Sequence, residues 1–157
     1  MTLIADILPP ENILLDGEST SKKRVFERVG LLFENGQHLA RSQVFDSLIA
    51  RERLGSTGLG QGVAIPHGRI KGLRQAVACF VRTENPIAFD APDGLPVRLI
   101  FVLLVPDRAT DLHLQLLGEL AELFCEKSLR ERLLTCNDPL ELHRLFTVPV
   151  ASQQGRV

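Results

Sequence analysis

Seven consecutive apolar residues, Leu99-Ile-Phe-Val-Leu-Leu-Val105, limit the choice of fold more than any other feature of the chain. The run is far shorter than the roughly 20 residues a helix needs to cross a bilayer. Its β-branched and aromatic content, closed by Pro106, reads as a strand. Because every residue is apolar, rather than every second one, both faces of that strand must be covered. Shorter runs at 63–65 and 76–81 have the same character, and Pro or Gly brackets them.

The covering layers are visible on either side of these strands. Val25, Val29, Leu32 and Phe33 recur at the spacing of an amphipathic helix over residues 21–34, with Thr20 or Ser21 to cap it and Asn35-Gly36 to stop it. Val44, Phe45, Leu48 and Ile49 mark a second helix over 42–54, ended by Gly55. Asp93-Gly94 is a turn dipeptide, so a short strand at 87–89 is expected to form a hairpin. Beyond the strands, Thr110 or Asp111 can cap a helix carrying Leu112, Leu116, Leu120, Leu123 and Phe124. Ser128-Leu-Arg-Glu131 has the form of a capping box, and Pro139 suits the first position of a final helix. Helices, then strands, then helices make a single α/β domain with a central mixed β-sheet flanked by helices, over residues 1–149, with 150–157 as a frayed tail.

Charge and cysteine usage exclude several functions. A net charge of −1, with no long run of Lys or Arg, argues against nucleic acid and against acidic membranes as partners. The start of the chain lacks the basic segment of a secretory signal, and nothing in it suggests membrane insertion, so a cytoplasmic location is expected. Cys79, Cys125 and Cys136 are an odd number without ligand spacing and read as reduced thiols. The histidines at 38, 67, 113 and 143 lack the spacing of a helical zinc site, so no metal is expected. No Gly-x-Ser-x-Gly elbow is present for a hydrolase.

The least ordinary segment runs from Gly55 to Gly68, Gly-Ser-Thr-Gly-Leu-Gly-Gln-Gly-Val-Ala-Ile-Pro-His-Gly. Its glycines let backbone N–H groups approach an anion, which makes Ser56, Thr57, Gly58 and Gly60 candidates for a phosphate loop. It is neither a Walker loop nor a dinucleotide fingerprint, so no nucleotide cofactor is expected. His67 stands between Pro66 and Gly68, just past a short strand. A neutral imidazole is a nucleophile near pH 7 without a helping base. The same position also suits a histidine that merely ends a strand. His113 falls in the first turn of a predicted helix, where the dipole favours a neutral ring beside an anion, or it is a surface histidine. Arg51, just before the glycines, offers a forked donor to an anion, or is part of a solvated helix end. His38 and His143 read as surface residues.

The stretch Leu48-Ile-Ala-Arg-Glu-Arg-Leu-Gly-Ser-Thr-Gly-Leu-Gly-Gln-Gly-Val-Ala-Ile-Pro-His-Gly-Arg69 closely resembles the signature of the enzyme IIA domains of the phosphoenolpyruvate-dependent phosphotransferase system, fructose/mannitol class. Asp111-Leu-His-Leu-Gln-Leu-Leu117 is a second match, and the resemblance spans residues 7–146. It implies that His67 is phosphorylated on Nε2, that His113 orients it or binds the phosphoryl group, and that Arg51 balances the charge. An HPr-like phosphocarrier protein would be the donor, with no metal and no cofactor. The opening stretch from Ile7 and the free-standing length look like the nitrogen-type branch, a regulatory phosphocarrier. Its target would be a protein such as a potassium transporter or a sensor kinase. A sugar-transport IIA passing phosphate to a IIB domain, or an interaction module that transfers nothing, are the alternatives.

Overall fold

The computed structural model describes residues 3–108 and 111–147. Two 3-10 turns, Leu3–Asp6 and Pro10–Asn12, lead into β1 (Ile13–Gly17). Helices α1 (Lys22–Gln37) and α2 (Arg41–Leu54) follow. Three short strands come next, β2 (Gly58–Gly60), β3 (Val63–Ala64) and β4 (His67–Ile70), and then two long ones, β5 (Val77–Ile87) and β6 (Val97–Pro106). Helices α3 (Asp111–Phe124), α4 (Lys127–Thr135) and α5 (Pro139–Thr147) complete the described chain.

The apolar run at 99–105 is the middle of β6, the strand around which the sheet is organised. β5 pairs antiparallel along one edge of β6, with β1 parallel beyond it. Along the other edge lie β3 and β4, end to end and both parallel to β6, and β2 pairs antiparallel with β3. From Leu99 onward the side chains of β6 alternate between two cores, as the pleat requires. Leu99, Phe101, Leu103 and Val105 join a core formed with α3, α4, α5 and the first 3-10 turn. Val97, Ile100, Val102 and Leu104 face a second core formed with α1 and α2. Uninterrupted apolarity thus does report a strand covered on both faces, and the mixed α/β single domain is the architecture the sequence predicts.

Local signals fare unevenly. Ser21 caps α1 as expected, accepting a hydrogen bond from the Arg24 amide at 3.2 Å. The helix nevertheless runs through Asn35-Gly36 to Gln37, and His38 makes the left-handed stop at φ 59°. A glycine inside a helix costs only about 1 kcal/mol, which packing on the sheet offsets. α2 begins one residue before the expected 42, at Arg41. No separate strand forms at 87–89: Ile87 ends β5 and pairs with Val97, so the hairpin at Asp93-Gly94 joins two long strands. The capping box at Ser128 does not form, because the N-cap of α4 lies two residues earlier, at Glu126. Asp138 does seat α5, its carboxylate accepting from the Leu140 amide at 3.1 Å. The cap at Thr110 and the tail at 150–157 lie outside the described residues.

Candidate functional site

His67 is the first residue of β4, not a residue left beyond a strand. The Pro66 carbonyl accepts from the Leu103 amide at 2.9 Å, and His67 pairs with Leu103, so the sheet fixes the backbone on either side of the ring. Nδ1 lies 2.9 Å from the Ile65 carbonyl oxygen. A carbonyl only accepts, so Nδ1 carries the hydrogen and Nε2 of the neutral ring carries a lone pair. Arg51 meets that lone pair, its Nε–H donating to Nε2 at 3.2 Å. Burial lowers the pKa of His67, the Arg51 charge adds to the lowering, and the Ile65 carbonyl and Glu52 oppose it. The ring is neutral at pH 7, with one nitrogen anchored and the other nucleophilic.

Both ends of this arrangement come from regular elements. Arg51 stands in the last turn of α2, and its Nη1 also donates to the Gly55 carbonyl at 2.9 Å. His113 is the third residue of α3 and is 9% exposed. Arg51, His67 and His113 line one cavity of about 490 Å³ between α2, β4, β6 and α3. Leu54 and Leu114, 84% and 68% exposed, also line it and give it an apolar rim. Gly68 is needed here because a Cβ on it would fall 2.4 Å from Ser47 Oγ on α2, holding β4 away from the helix that carries Arg51. The sequence suggests only that glycine spares room beside the ring.

Ser56, Thr57, Gly58 and Gly60 do not line this cavity, and their polar groups are engaged elsewhere. The Thr57 amide donates to Glu52 at 3.2 Å, the Gly58 amide to Ser56 Oγ at 3.0 Å, and Ser56 Oγ–H to the Phe89 carbonyl. Residues 58–64 form the β2–β3 hairpin, turning through Gln61 and Gly62 at φ 59° and 79°. Gly58 is glycine because a Cβ would lie 2.8 Å from that of Ala91. The glycines of this segment serve close packing and a tight turn.

Sequence reasoning misses Glu52 and Lys22. Glu52 looks like a solvated charge between two arginines, yet its side chain is 5% exposed and paired with Lys22 Nζ at 2.9 Å. Nothing in the local pattern signals this, since its partners come from α1 and from Thr57. His143 is also misread as a surface residue: it is half-buried, with Nε2 2.8 Å from the Leu8 carbonyl. His38 is exposed, as expected. Cys79, Cys125 and Cys136 are free thiols, and burial pushes that of Cys79 far up. Among the described residues no cluster of three or more His, Cys, Asp or Glu is arranged to hold a metal, and no helix is long and apolar enough to cross a membrane.

The chain as a whole is similar to known proteins. The family described as phosphoenolpyruvate-dependent sugar phosphotransferase system, EIIA 2, matches residues 6–148. A nitrogen regulatory protein of Pseudomonas aeruginosa is 41% identical over 134 residues, 85% of this chain and 87% of that one. The crystal structure of the nitrogen regulatory protein IIA-Ntr of Neisseria meningitidis superposes with a TM-score of 0.88 at 55% identity, covering 93% of this chain and all of that one. The mannitol IIA of Escherichia coli shares the fold, with a TM-score of 0.75 at 22% identity over 88% of this chain and 98% of its own.

Proposed function

The chain belongs to the EIIA 2 family of the phosphoenolpyruvate-dependent sugar phosphotransferase system, in its nitrogen regulatory branch, and from that premise we propose that it is a cytoplasmic phosphocarrier. It accepts a phosphoryl group on Nε2 of His67 from an HPr-like phosphohistidine protein and signals through its phosphorylation state. The observation that carries this reading is the division of labour on the His67 ring. Nδ1 is held by the Ile65 carbonyl, and Nε2 presents its lone pair to a cavity shared with Arg51 and His113.

In the transfer, Nε2 attacks phosphorus in line while the N–P bond of the donor breaks and its electron pair returns to the donor imidazole. One N–P bond replaces another, so the step is reversible and needs positioning and electrostatic stabilisation more than covalent chemistry. The His67 ring keeps its Nδ1 hydrogen and gains positive character, which the Ile65 carbonyl stabilises. Arg51 leaves Nε2 and turns its remaining donors to the phosphoryl oxygens, keeping Gly55 as its hinge. His113, in the first turn of α3, donates a ring N–H to another oxygen. Leu54 and Leu114 give the docking carrier an apolar rim to cover. The product adds up to about two negative charges at this face, which repels a partner built for the neutral ring and favours one lined with Arg.

Phosphoenolpyruvate, enzyme I and an HPr homologue, incubated with wild type and His67→Ala and read by intact mass, test the proposal. The expected result is an acid-labile phosphate on the wild type alone. No transfer from a donor shown to be active reduces the chain to an interaction module. For the signalling part, the phosphorylated and unphosphorylated samples are titrated against a candidate target, and equal affinities overturn it.

A further inference from the structure

Arg51 has two acceptors, Nε2 of His67 and the Gly55 carbonyl. Once it turns from Nε2 to a phosphoryl group, Gly55 is what remains to aim it. Gly55 is tied to α2 by its amide, which donates to the Glu52 carbonyl at 3.1 Å, but no side chain packs it: its φ is +153°, and a Cβ built on it would meet nothing within 4 Å. Rigidity at this turn has to come from its neighbours.

It comes from Glu52, the residue after Arg51 on α2. Where Arg51 grips the turn at Gly55, Glu52 grips it two residues later. Its carboxylate accepts from the Thr57 amide at 3.2 Å and also from the Thr57 hydroxyl. Lys22 at the start of α1 pairs with the other carboxylate oxygen at 2.9 Å, donates to the Phe89 carbonyl at 3.3 Å and lies 4.8 Å over the Phe89 ring. A carboxylate this well covered is tolerated only with its charge paired and its oxygens hydrogen-bonded, and both conditions hold. The chain of contacts therefore runs from Lys22 through Glu52 and Thr57 to the turn at Gly55, and from there to Arg51 and His67.

We propose that Glu52, seated by Lys22 and Thr57, is a positioning residue that fixes the Gly55–Thr57 turn and so aims Arg51 at the phosphoryl group on His67. The proposal rests on the phosphocarrier reading above. Glu52 touches neither the ring nor the phosphoryl group, and it acts through Thr57 and the turn. The Ser-Thr after Gly55 is then a fastening for the arginine and takes no direct part in holding phosphate.

The test uses the full chain with Glu52→Gln, Thr57→Val and Thr57→Ser. Single-turnover acceptance from a phosphorylated HPr homologue gives the rate and the half-saturating donor concentration, and the ¹⁵N shift of His67 Nε2 reports the Arg51 hydrogen bond without any transfer. Glu52→Gln and Thr57→Val are expected to lower the saturating rate by about ten- to a hundredfold, with half-saturation changed by less than about twofold. Both variants should also move the Nε2 shift toward that of an unbonded imidazole. Thr57→Ser, which keeps the hydroxyl, should restore both. Wild-type rates and an unmoved Nε2 shift in folded Thr57→Val overturn the proposal, even if its Tm falls. If Glu52→Gln fails to fold, the Val and Ser pair decides. A wild type that accepts no phosphoryl group overturns the phosphocarrier reading instead, and the Nε2 shift still decides whether Glu52 holds Arg51 in place.

Discussion

At the scale of single residues, the division of work between the two nitrogens of His67 has a consequence for stability. Burial first, and then Arg51, hold the folded-state pKa below the unfolded value of 6.5, against the opposing pull of Ile65 and Glu52. The unfolded chain therefore binds the proton before the folded chain does as the solution is acidified. His67 contributes stability that is fully present above the unfolded pKa and is lost as pH falls from there through the folded pKa. Between about pH 8 and about pH 5, the Tm of wild type is expected to fall more steeply than that of His67→Gln. Parallel slopes would show that the ring titrates alike in both states. The residues of this site differ in how readable they are. His67, His113 and Arg51 stand in a recognisable order, whereas Glu52 is hidden because its burial depends on α1 and on the turn that follows it.

At the scale of elements, the contact between α2 and β4 sets where Arg51 meets His67. Ser47 on α2 donates its hydroxyl to the Arg69 carbonyl at 2.9 Å, and Gly68 lies directly beneath it. Gly68→Ala forces the two elements apart, an overpacking that costs about 1–3 kcal/mol. Scanning calorimetry should show a lowered Tm, with Ser47→Ala in the same chain restoring part of it. An unchanged Tm in the single variant would mean that α2 moves aside freely. Elements that bury a repeating apolar stripe are visible in the chain, as α1, α2, β5 and β6 are. The short strands β1, β2 and β4 are not, because three to five residues carry too little periodicity, and β1 and β4 pair with strands distant in sequence.

Over the whole molecule, two helical layers sandwich one sheet, and β6 belongs to both cores. The Phe146 ring on α5 packs against Phe80, Phe101 and Phe124, with centroids 4.8, 5.4 and 5.9 Å away. Phe146→Ala leaves a cavity at the centre of one layer and is expected to cost about 3–5 kcal/mol. Urea unfolding should show a lower midpoint with the slope unchanged, since the layers share the sheet and unfold together. A shallower slope would reveal that α3, α4 and α5 detach before the rest.

The sequence by itself determined the doubly covered sheet, the helical layers on either side and the order of the residues that meet at the cavity. Those properties follow from local periodicity and from motifs contiguous in the chain, so no distant partner is needed to see them. Only the tertiary structure decided that the clustered glycines pack a hairpin against Ala91, that His67 begins a strand and that Glu52 is buried with its charge paired. Each of these depends on groups brought close from 30 or more residues away: Ala91 for Gly58, Leu103 for His67 and Lys22 for Glu52. A side chain's burial, and hence its charge state and its use, is set by what covers it, and that is a property of the packed molecule.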